Sequence, residues 1–190
     1  MHKEHKIVIF VIVVLIGLAF GFGLARQFKV LNPEKLLEQA GVKELFYFET
    51  DGDLQRLERR DFTPKLSMDH VTQGMYSLEV TFPAGGGNLS SWRQFIQNWA
   101  DSDIFSFDVY NDEYSNVILK VIIIDEAGKK FEKDFVLSSG ANSIEVKIKD
   151  IAKVIDVTRV KQLVLEVKEA GETTLFFDNM KLEKQKNEGT

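Results

Sequence analysis

Five acidic residues lie close together between positions 101 and 113 and are the first candidates for chemistry. They are Asp101, Asp103, Asp108, Asp112 and Glu113. Hydrolysis of a glycosidic bond needs two carboxyl groups on opposite sides of the scissile bond. Nothing in this spacing marks one residue as the acid and another as the nucleophile, and acidic residues in loops are usually solvated. We therefore predict that the chain is not an enzyme, and a small hydrolase is the least favoured alternative.

Histidine and cysteine are too scarce for other familiar kinds of site. The chain has three histidines and no cysteine. His2 and His5 precede an apolar segment, which leaves His70 with no second histidine for a metal site and little support for a Ser/His/Asp triad. Without cysteine there is neither a disulfide nor a thiol for lipid attachment. The net charge is −5, and no basic tract is interleaved with aromatics, which argues against a nucleic-acid partner.

The elements that must position any site are β-strands. Apolar and polar residues alternate from Ile104 to Tyr110, which is typical of a half-buried strand. Val117 to Ile124 is apolar at almost every position, as expected for a strand covered on both faces. The turn from Asp125 to Gly128 then leads into a returning strand, Phe131 to Val136. We interpret this central stretch as two or three antiparallel strands in the middle of a β-sandwich.

Shorter patterns on both sides complete the predicted fold. We predict further strands at 45–49, 76–82, 144–148, 163–167 and 173–182. A turn is predicted at 51–53, followed by a strand or an irregular edge at 54–61. We also predict a flexible loop at 83–88 and one helical turn at 150–155. The prediction is an all-β antiparallel β-sandwich, a jelly roll, of eight or nine strands. Phe107, Val121 and Leu165 are predicted to lie in its core.

The N-terminal segment is predicted to reach a membrane. Residues 7–25 are continuously apolar and reach about 28 Å as a helix, close to the thickness of a bilayer core. A cleaved signal peptide is the alternative, but the apolar run exceeds the roughly 7–15 residues of a signal core. Asn32 and Pro33 then begin a predicted short juxtamembrane helix that ends at Gly41.

The chain therefore divides into four predicted regions. Residues 1–25 are a membrane anchor or uncleaved signal, and 26–44 are a juxtamembrane linker with the short helix. Residues 45–184 form the β-sandwich binding domain, and 185–190 are a polar tail. The predicted location is the cell membrane, with a single span and the domain outside the cytoplasm.

Three stretches and their order resemble the galactose-binding-like jelly rolls. These include many carbohydrate-binding modules and accessory domains of glycoside hydrolases. The stretches are Thr72–Val80, Ile104–Asn111 and Leu175–Leu182. The resemblance covers about Leu45 to Glu183. It implies a non-catalytic module whose partner is a polysaccharide or a cell-envelope glycan.

The resemblance also implies residues for two sites. Domains of this kind often hold a structural calcium ion, and the matching positions here are Glu49 in the first strand and Asp178 in the last. The alternative is that Glu49 is solvated and that Asp178 only accepts hydrogen bonds from nearby backbone.

A pyranose ring packs its C–H face on an aromatic ring, so sugar binding would use exposed aromatic residues. The candidates are Trp92, Tyr110 and Tyr114. Trp99 matches a packing position of the family and is predicted to be buried. Ala141 stands where the family often has an aromatic residue, which weakens the transfer of a ligand site.

The prediction is a membrane-anchored, extracytoplasmic carbohydrate-binding-like module. The alternative from a different class is a structural or protein-interaction domain of the same fold that binds no sugar. Several exposed aromatic residues in one row would favour the first.

Overall fold

The structure of the protein is a computed structural model. It describes residues 41–58, 63–91, 96–168 and 171–185. Within these ranges the chain forms eleven strands and two short helices. The strands are β1 (Val42–Phe46), β2 (Leu57–Glu58), β3 (Lys65–Ser67), β4 (Ser77–Phe82), β5 (Gly86–Ser91), β6 (Ile104–Asn111), β7 (Val117–Asp125), β8 (Lys130–Leu137), β9 (Gly140–Lys147), β10 (Val160–Lys168) and β11 (Thr173–Glu183). The helices are α1 (Asp51–Gln55) and α2 (Ile148–Ile151).

The strands form two antiparallel sheets. The six-stranded sheet has the order β3-β4-β11-β6-β9, with β1 also paired to β11. The five-stranded sheet has the order β2-β5-β10-β7-β8. The described part of the chain is therefore the predicted all-β antiparallel sandwich. β6 and β7 follow one another in the chain but lie in different sheets, whereas β7 and β8 form the predicted hairpin.

The core fills the space between the sheets. Phe107 from the six-stranded sheet and Val121 and Leu165 from the five-stranded sheet are at most 2% exposed. All three belong to one cluster of buried apolar side chains, as predicted. Trp99 is fully buried too, and its indole Nε1 donates a hydrogen bond to the carbonyl of Ile96 at 2.7 Å. The polar atom of this large side chain is thereby satisfied inside the fold.

The prediction of a flexible loop at 83–88 is wrong from Gly86 onward. Gly86 begins β5 and lies opposite Lys168 of β10. Its φ is +93°, and a Cβ added there would lie 2.2 Å from the carbonyl oxygen of Val167. The glycine therefore allows β5 to approach β10 closely. The glycine run that indicated a loop in the sequence thus contributes Gly86 to the close packing of β5 against β10.

The region after the first strand also differs from the sequence prediction. Residues 51–55 form helix α1 where a turn was predicted, and the strand predicted from Leu54 is reduced to β2 in the described residues. The Asp53 carboxylate accepts hydrogen bonds from the backbone N–H of Thr50 at 3.3 Å and from its hydroxyl at 3.2 Å. This contact stabilises the first turn of α1. Helix α2 overlaps the single helical turn that was predicted at 150–155 and begins two residues earlier.

The sandwich begins inside the predicted linker. β1 starts at Val42 and pairs with the end of β11, where Val42 lies opposite Glu183. The backbone N–H of Lys184 also donates to the carbonyl of Gly41 at 3.1 Å. The predicted span at 7–25 lies outside the described residues, as does the predicted helix at 32–41 apart from Gly41. Among the helices of the described residues, none has the length and apolar character needed to cross a membrane.

Candidate binding groove

A groove of about 390 Å³ lies on the outer face of the six-stranded sheet, the face turned away from the core. It lies over β6, β9 and β11, and the loop between β3 and β4 (residues 68–76) forms one of its walls. Among the described residues, its lining combines aromatic, small and acidic side chains. They are His70, Val71, Thr72, Asp108, Val109, Tyr110, Ala141, Asn142, Ser143, Phe176 and Asp178.

Strand register brings the main side chains together. Tyr110 of β6 lies opposite Phe176 of β11 on one side and Ala141 of β9 on the other. Asp108 lies two residues before Tyr110, so both side chains point to the same face of the sheet. Asp108 is opposite Asp178 of β11. The alternation that buries Phe107 and Val109 thus also places an aromatic and a carboxylate in the groove.

Three rings form the apolar wall of the groove. His70 stacks on Tyr110 with ring centroids 3.5 Å apart and planes 9° from parallel. Phe176 meets the His70 ring edge-on at 4.7 Å and the Tyr110 ring at 6.5 Å. Phe176 is buried, whereas the side chain of His70 is 30% exposed and Tyr110 is half-buried. The stacked pair is therefore backed by the buried Phe176 ring and remains partly exposed.

Two carboxylates hold the β3–β4 loop in place. Asp178 Oδ2 accepts hydrogen bonds from the backbone N–H groups of Thr72 at 2.6 Å and Gln73 at 2.8 Å. Glu49 Oε1 accepts one from the backbone N–H of Met75 at 2.8 Å. Hydrogen bonds to ionised acceptors are stronger than neutral ones. The loop that carries His70 is thus fixed by side chains from opposite ends of the domain sequence.

A glycine makes the contact with Glu49 possible. Gly74 has a φ of +77°, a conformation in which only glycine is free of strain. A Cβ added to Gly74 would lie 1.9 Å from Glu49 Oε1. The carboxylate therefore occupies the space that any other side chain at position 74 would fill.

The contacts of Glu49 and Asp178 in the structure are hydrogen bonds to the loop. Calcium takes six to eight oxygen ligands, whereas Glu49 Oε1 and Asp178 Oδ2 both face N–H donors of the loop. Among the described residues, no group of three or more His, Cys, Asp or Glu side chains has the arrangement of a metal site. The two predicted ligands do meet the same loop, where they accept backbone hydrogen bonds. A calcium ion between them stays a prediction.

Asp108 is the carboxylate that remains open to the groove. Its Oδ2 lies 2.9 Å from the hydroxyl of Thr72 and 3.0 Å from the side-chain nitrogen of Asn179. Its Oδ1 accepts no hydrogen bond from any residue that the structure describes. Asn179 has a φ of +51° and lies in a bulge of β11, where the register against β6 shifts. The bulge brings the Asn179 amide to Asp108.

The predicted sugar-binding residues separate in the structure. Tyr110 lies in the groove. Tyr114 is fully exposed in the loop between β6 and β7 and is not among the groove-lining residues. Trp92 lies outside the described residues. Ala141, the small residue in a position where an aromatic was expected, lies beside Tyr110 and leaves space for the groove.

Sequence reasoning missed His70 and Phe176. His70 was considered only as a metal ligand or catalytic base, and nothing in its sequence neighbourhood connects it with Tyr110. Phe176 stands in a run of three apolar residues, so alternation does not show that it points away from the core. The sequence does hold one signal for Phe176. Asp178 lies two residues later, so the two side chains share a face of the strand, and an acidic residue indicates the face turned away from the core.

Solved structures that are similar to this chain include carbohydrate-binding modules and parts of larger agarases. The family 11 carbohydrate-binding module of a cellulosomal cellulase from Clostridium thermocellum matches 79% of this chain over 99% of its own length, with a TM-score of 0.60 and 12% identity. The same family 11 module in complex with a β-1,3-1,4-mixed-linked tetrasaccharide matches 76% of this chain and 96% of its own, with a TM-score of 0.57 and 12% identity.

The agarase AgWH50C matches 77% of this chain with a TM-score of 0.64 and 15% identity. The chain spans about a quarter of the length of that agarase. No protein-family model matches the sequence, and a search of curated proteins gives no match. At these identities the comparisons establish the fold, which is that of the carbohydrate-binding jelly rolls, and so confirm the resemblance seen in the sequence.

Proposed function

We propose that the domain is a non-catalytic carbohydrate-binding module, displayed outside the cytoplasm on an N-terminal membrane anchor, that binds a glycan or another envelope component. The observation that carries the proposal is the groove over β6, β9 and β11, in which a stacked aromatic pair stands beside an open carboxylate. The likeness in fold to known carbohydrate-binding modules supports it.

The chemistry of the groove suits a sugar. Pyranose rings present apolar C–H faces and equatorial hydroxyl groups, so they need apolar contact together with hydrogen-bond partners. The His70–Tyr110 pair offers the apolar contact. Asp108 Oδ1 accepts from hydroxyl groups, and the exposed side chain of Ser143 adds a hydroxyl that makes no hydrogen bond within the described part of the chain. A few polar groups on an apolar surface are typical of small-ligand sites.

The two groove carboxylates are poorly suited to catalysis. Asp178 is 2% exposed, and its oxygens accept the N–H groups of Thr72, Gln73 and Asn179. It is therefore unavailable to protonate a leaving group or attack a sugar carbon. Asp108 then has no second free carboxylate among the described residues that line the groove, whereas glycoside hydrolysis needs two. This arrangement supports binding without hydrolysis.

Exchange of Tyr110 for alanine tests the proposal. We expect Tyr110→Ala to weaken binding to every glycan that the full-length protein binds on a glycan array, by at least about tenfold, or ~1.4 kcal/mol. Tyr114→Ala is the matched control, because it removes an equally large ring from an exposed loop outside the groove. Equal losses in the two variants, or binding that survives Tyr110→Ala, would place the site elsewhere.

A protein-interaction role is the second candidate, because one observation favours it. The side chains of Met68 and Met75, both on the β3–β4 loop, are 70% and 64% exposed. Flexible, polarizable methionines are common at protein-binding surfaces. If this alternative holds, the protein binds no glycan on the glycan array. The double variant Met68→Gln/Met75→Gln then also loses a protein partner that the parent protein captures.

Membrane anchoring has its own test. If residues 7–25 are retained as an anchor, the full-length protein fractionates with membranes and resists extraction with alkaline carbonate. A chain that starts near Gln27 is then found in the soluble fraction. Detection of a mature N-terminus at Arg26 by mass spectrometry would instead show that the segment is a cleaved signal peptide.

A further inference from the structure

The groove carries negative charge without a balancing cation. Neither Asp108 nor Asp178 forms an ion pair with any residue that the structure describes. Their hydrogen-bond donors are the Thr72 hydroxyl, the Asn179 side chain and backbone N–H groups, all of them neutral. No lysine or arginine is among the described residues that line the groove.

Two lysines of the same sheet are paired with glutamates outside the groove lining. Lys65 of β3 pairs with Glu79 at 2.7 Å, and Lys181 of β11 pairs with Glu183 at 2.8 Å. The remaining basic group of the groove is His70, whose Nε2 lies 4.0 Å from Asp112 Oδ1. Asp112 thus adds a further carboxylate at the end of β6. Among the described residues that line the groove, two carboxylates are therefore present without a lysine or arginine.

A half-buried carboxylate without a cationic partner discriminates strongly between ligands. It attracts a positive group and repels a negative one, and the effect is larger than in bulk water because the surroundings are less polar. A sulfate or uronate group near Asp108 would be desolvated and left without a positive partner. An ammonium group would satisfy the open Oδ1 of Asp108 and gain a favourable interaction.

We propose that the groove selects glycans by charge and takes an amino sugar, with its ammonium group against Asp108 and its ring against the His70–Tyr110 pair. This inference rests on the proposed function. Uncharged sugars of the same backbone bind more weakly because they offer Asp108 a hydrogen bond but no opposite charge. Uronates and sulfated sugars are excluded.

The test compares matched ligands on the full-length protein, kept in an uncharged polyoxyethylene detergent. The probes are three β-1,4-linked hexasaccharides with the same backbone: glucosamine, glucose and glucuronate oligomers. We expect the glucosamine oligomer to bind roughly tenfold more tightly than the glucose oligomer, with the advantage lost as salt is raised. No binding is expected for the glucuronate oligomer. The same comparison on array glycans that differ only in a charged group extends the test to other linkages.

Asp108→Asn removes the charge and keeps the size of the side chain. This variant is expected to bind the amino and neutral oligomers equally. Asp134→Asn is the matched control, because Asp134 is an exposed carboxylate near a lysine on the other sheet and its loss should leave the preference unchanged. The salt dependence of the parent protein tests the inference even if Asp108→Asn fails to fold.

Failure of this inference is distinguishable from failure of the proposed function. Glycan binding with no preference between amino and neutral sugars, or tighter binding of uronates, overturns the charge selection and leaves a carbohydrate-binding module. Absence of binding to any glycan overturns both.

Discussion

The outer faces of the two sheets differ in how they treat charge. On the five-stranded sheet, the ammonium of Lys120 lies 3.1 Å from the carboxylate of Glu132 and 4.0 Å from that of Asp134. On the six-stranded sheet, Asp108 and Asp178 of the groove meet neutral donors only, within the part of the chain that the structure describes. The carboxylates on the first face thus have a cation beside them, whereas the two groove carboxylates do not.

The apolar residues of the two faces differ in the same way. Ile118 and Val136 lie opposite each other on the five-stranded sheet and are 47% and 65% exposed. They are aliphatic and stand among charged neighbours, as on an ordinary solvated surface. In the groove, the His70 ring stacks on that of Tyr110 and meets that of Phe176 edge-on, and the loop that carries His70 is held by hydrogen bonds. The two faces therefore differ both in aromatic stacking and in the pairing of their charges.

The largest expected effect concerns the core that the two sheets share. Phe107→Ala should lower the free energy of unfolding by about 3–5 kcal/mol, because it leaves a cavity where a fully buried ring packs against both sheets. Chemical denaturation of the parent and the variant measures the change. Tyr114→Ala is the control and should shift stability by less than about 0.5 kcal/mol, since its side chain is exposed. A Phe107→Ala protein as stable as its parent would mean that the two faces do not share one core.

Calcium bound at Glu49 and Asp178 would reduce the difference in charge between the outer faces of the two sheets, because it would place a positive charge beside the groove carboxylates. An ion bound to the folded state alone stabilises it by about 2.7 kcal/mol at a hundredfold excess over Kd. The prediction requires that EDTA lowers the melting temperature, that calcium restores it and that Asp178→Asn abolishes the response. Magnesium should substitute poorly, since it demands a tighter octahedral shell. Melting curves that superimpose in calcium and in EDTA would contradict the calcium prediction and leave the loop held by hydrogen bonds alone.

A pair of glycines tests the contrast between the two sides of the sandwich. Gly74 and Gly128 have φ values of +77° and +80°, so alanine at either site carries the same left-handed strain. An added Cβ at Gly128 meets nothing within 4 Å, whereas at Gly74 it displaces the Glu49 carboxylate that holds the loop. Gly74→Ala should therefore cost about 1–2 kcal/mol more than Gly128→Ala, the value of the lost charge-assisted hydrogen bonds.

Binding provides a second measurement of the same pair. Gly74→Ala should also weaken any glycan bound in the groove, because the β3–β4 loop carries His70. Gly128→Ala, in the hairpin of the other sheet, should leave binding unchanged. Similar behaviour of the two variants would show that the Glu49 contact does not position the groove wall.

The sequence was sufficient for the sandwich but not for the groove. Strict alternation around Phe107 and the apolar run around Val121 follow directly from burial on one or both faces of a strand, so the core could be predicted. β5 was missed because its glycines carry no apolar pattern and owe their place to the close approach of β10.

The groove depends on contacts between distant parts of the chain. His70 reaches Tyr110 across 40 residues because Asp178, more than 100 residues further on, fixes the loop beside it. Neither contact has a local signature in the sequence. The acidic residues of 101–113 were visible as a set, but only the register of β6 against β11 shows that Asp108 is the one that faces the groove.

The smallest expected effect concerns Asp125, a buried carboxylate at the end of β7 on the five-stranded sheet. Its oxygens accept the backbone N–H of Asp156 at 3.0 Å and of Lys129 at 2.9 Å. The N–H of Asp156 is the main cause that lowers the pKa of Asp125 below its usual value, and burial opposes it. Like the groove carboxylates it accepts hydrogen bonds from neutral donors, but it is 1% exposed in a closed turn.

Because the folded-state pKa of Asp125 is lowered, its carboxylate contributes stability above the unfolded pKa of about 3.9. That contribution is lost as the pH falls through the lower folded-state pKa. Asp125→Asn should therefore be less stable than the parent at neutral pH, and the difference should shrink as the pH falls below about 4. Thermal scans of both proteins between neutral and acidic pH measure the difference. Asp112→Asn, at an exposed position, is the control. A stability difference between the two proteins that stays constant with pH would mean that Asp125 stabilises the fold by its shape and not by its charge. The closed turn would then differ from the groove in its electrostatics as well.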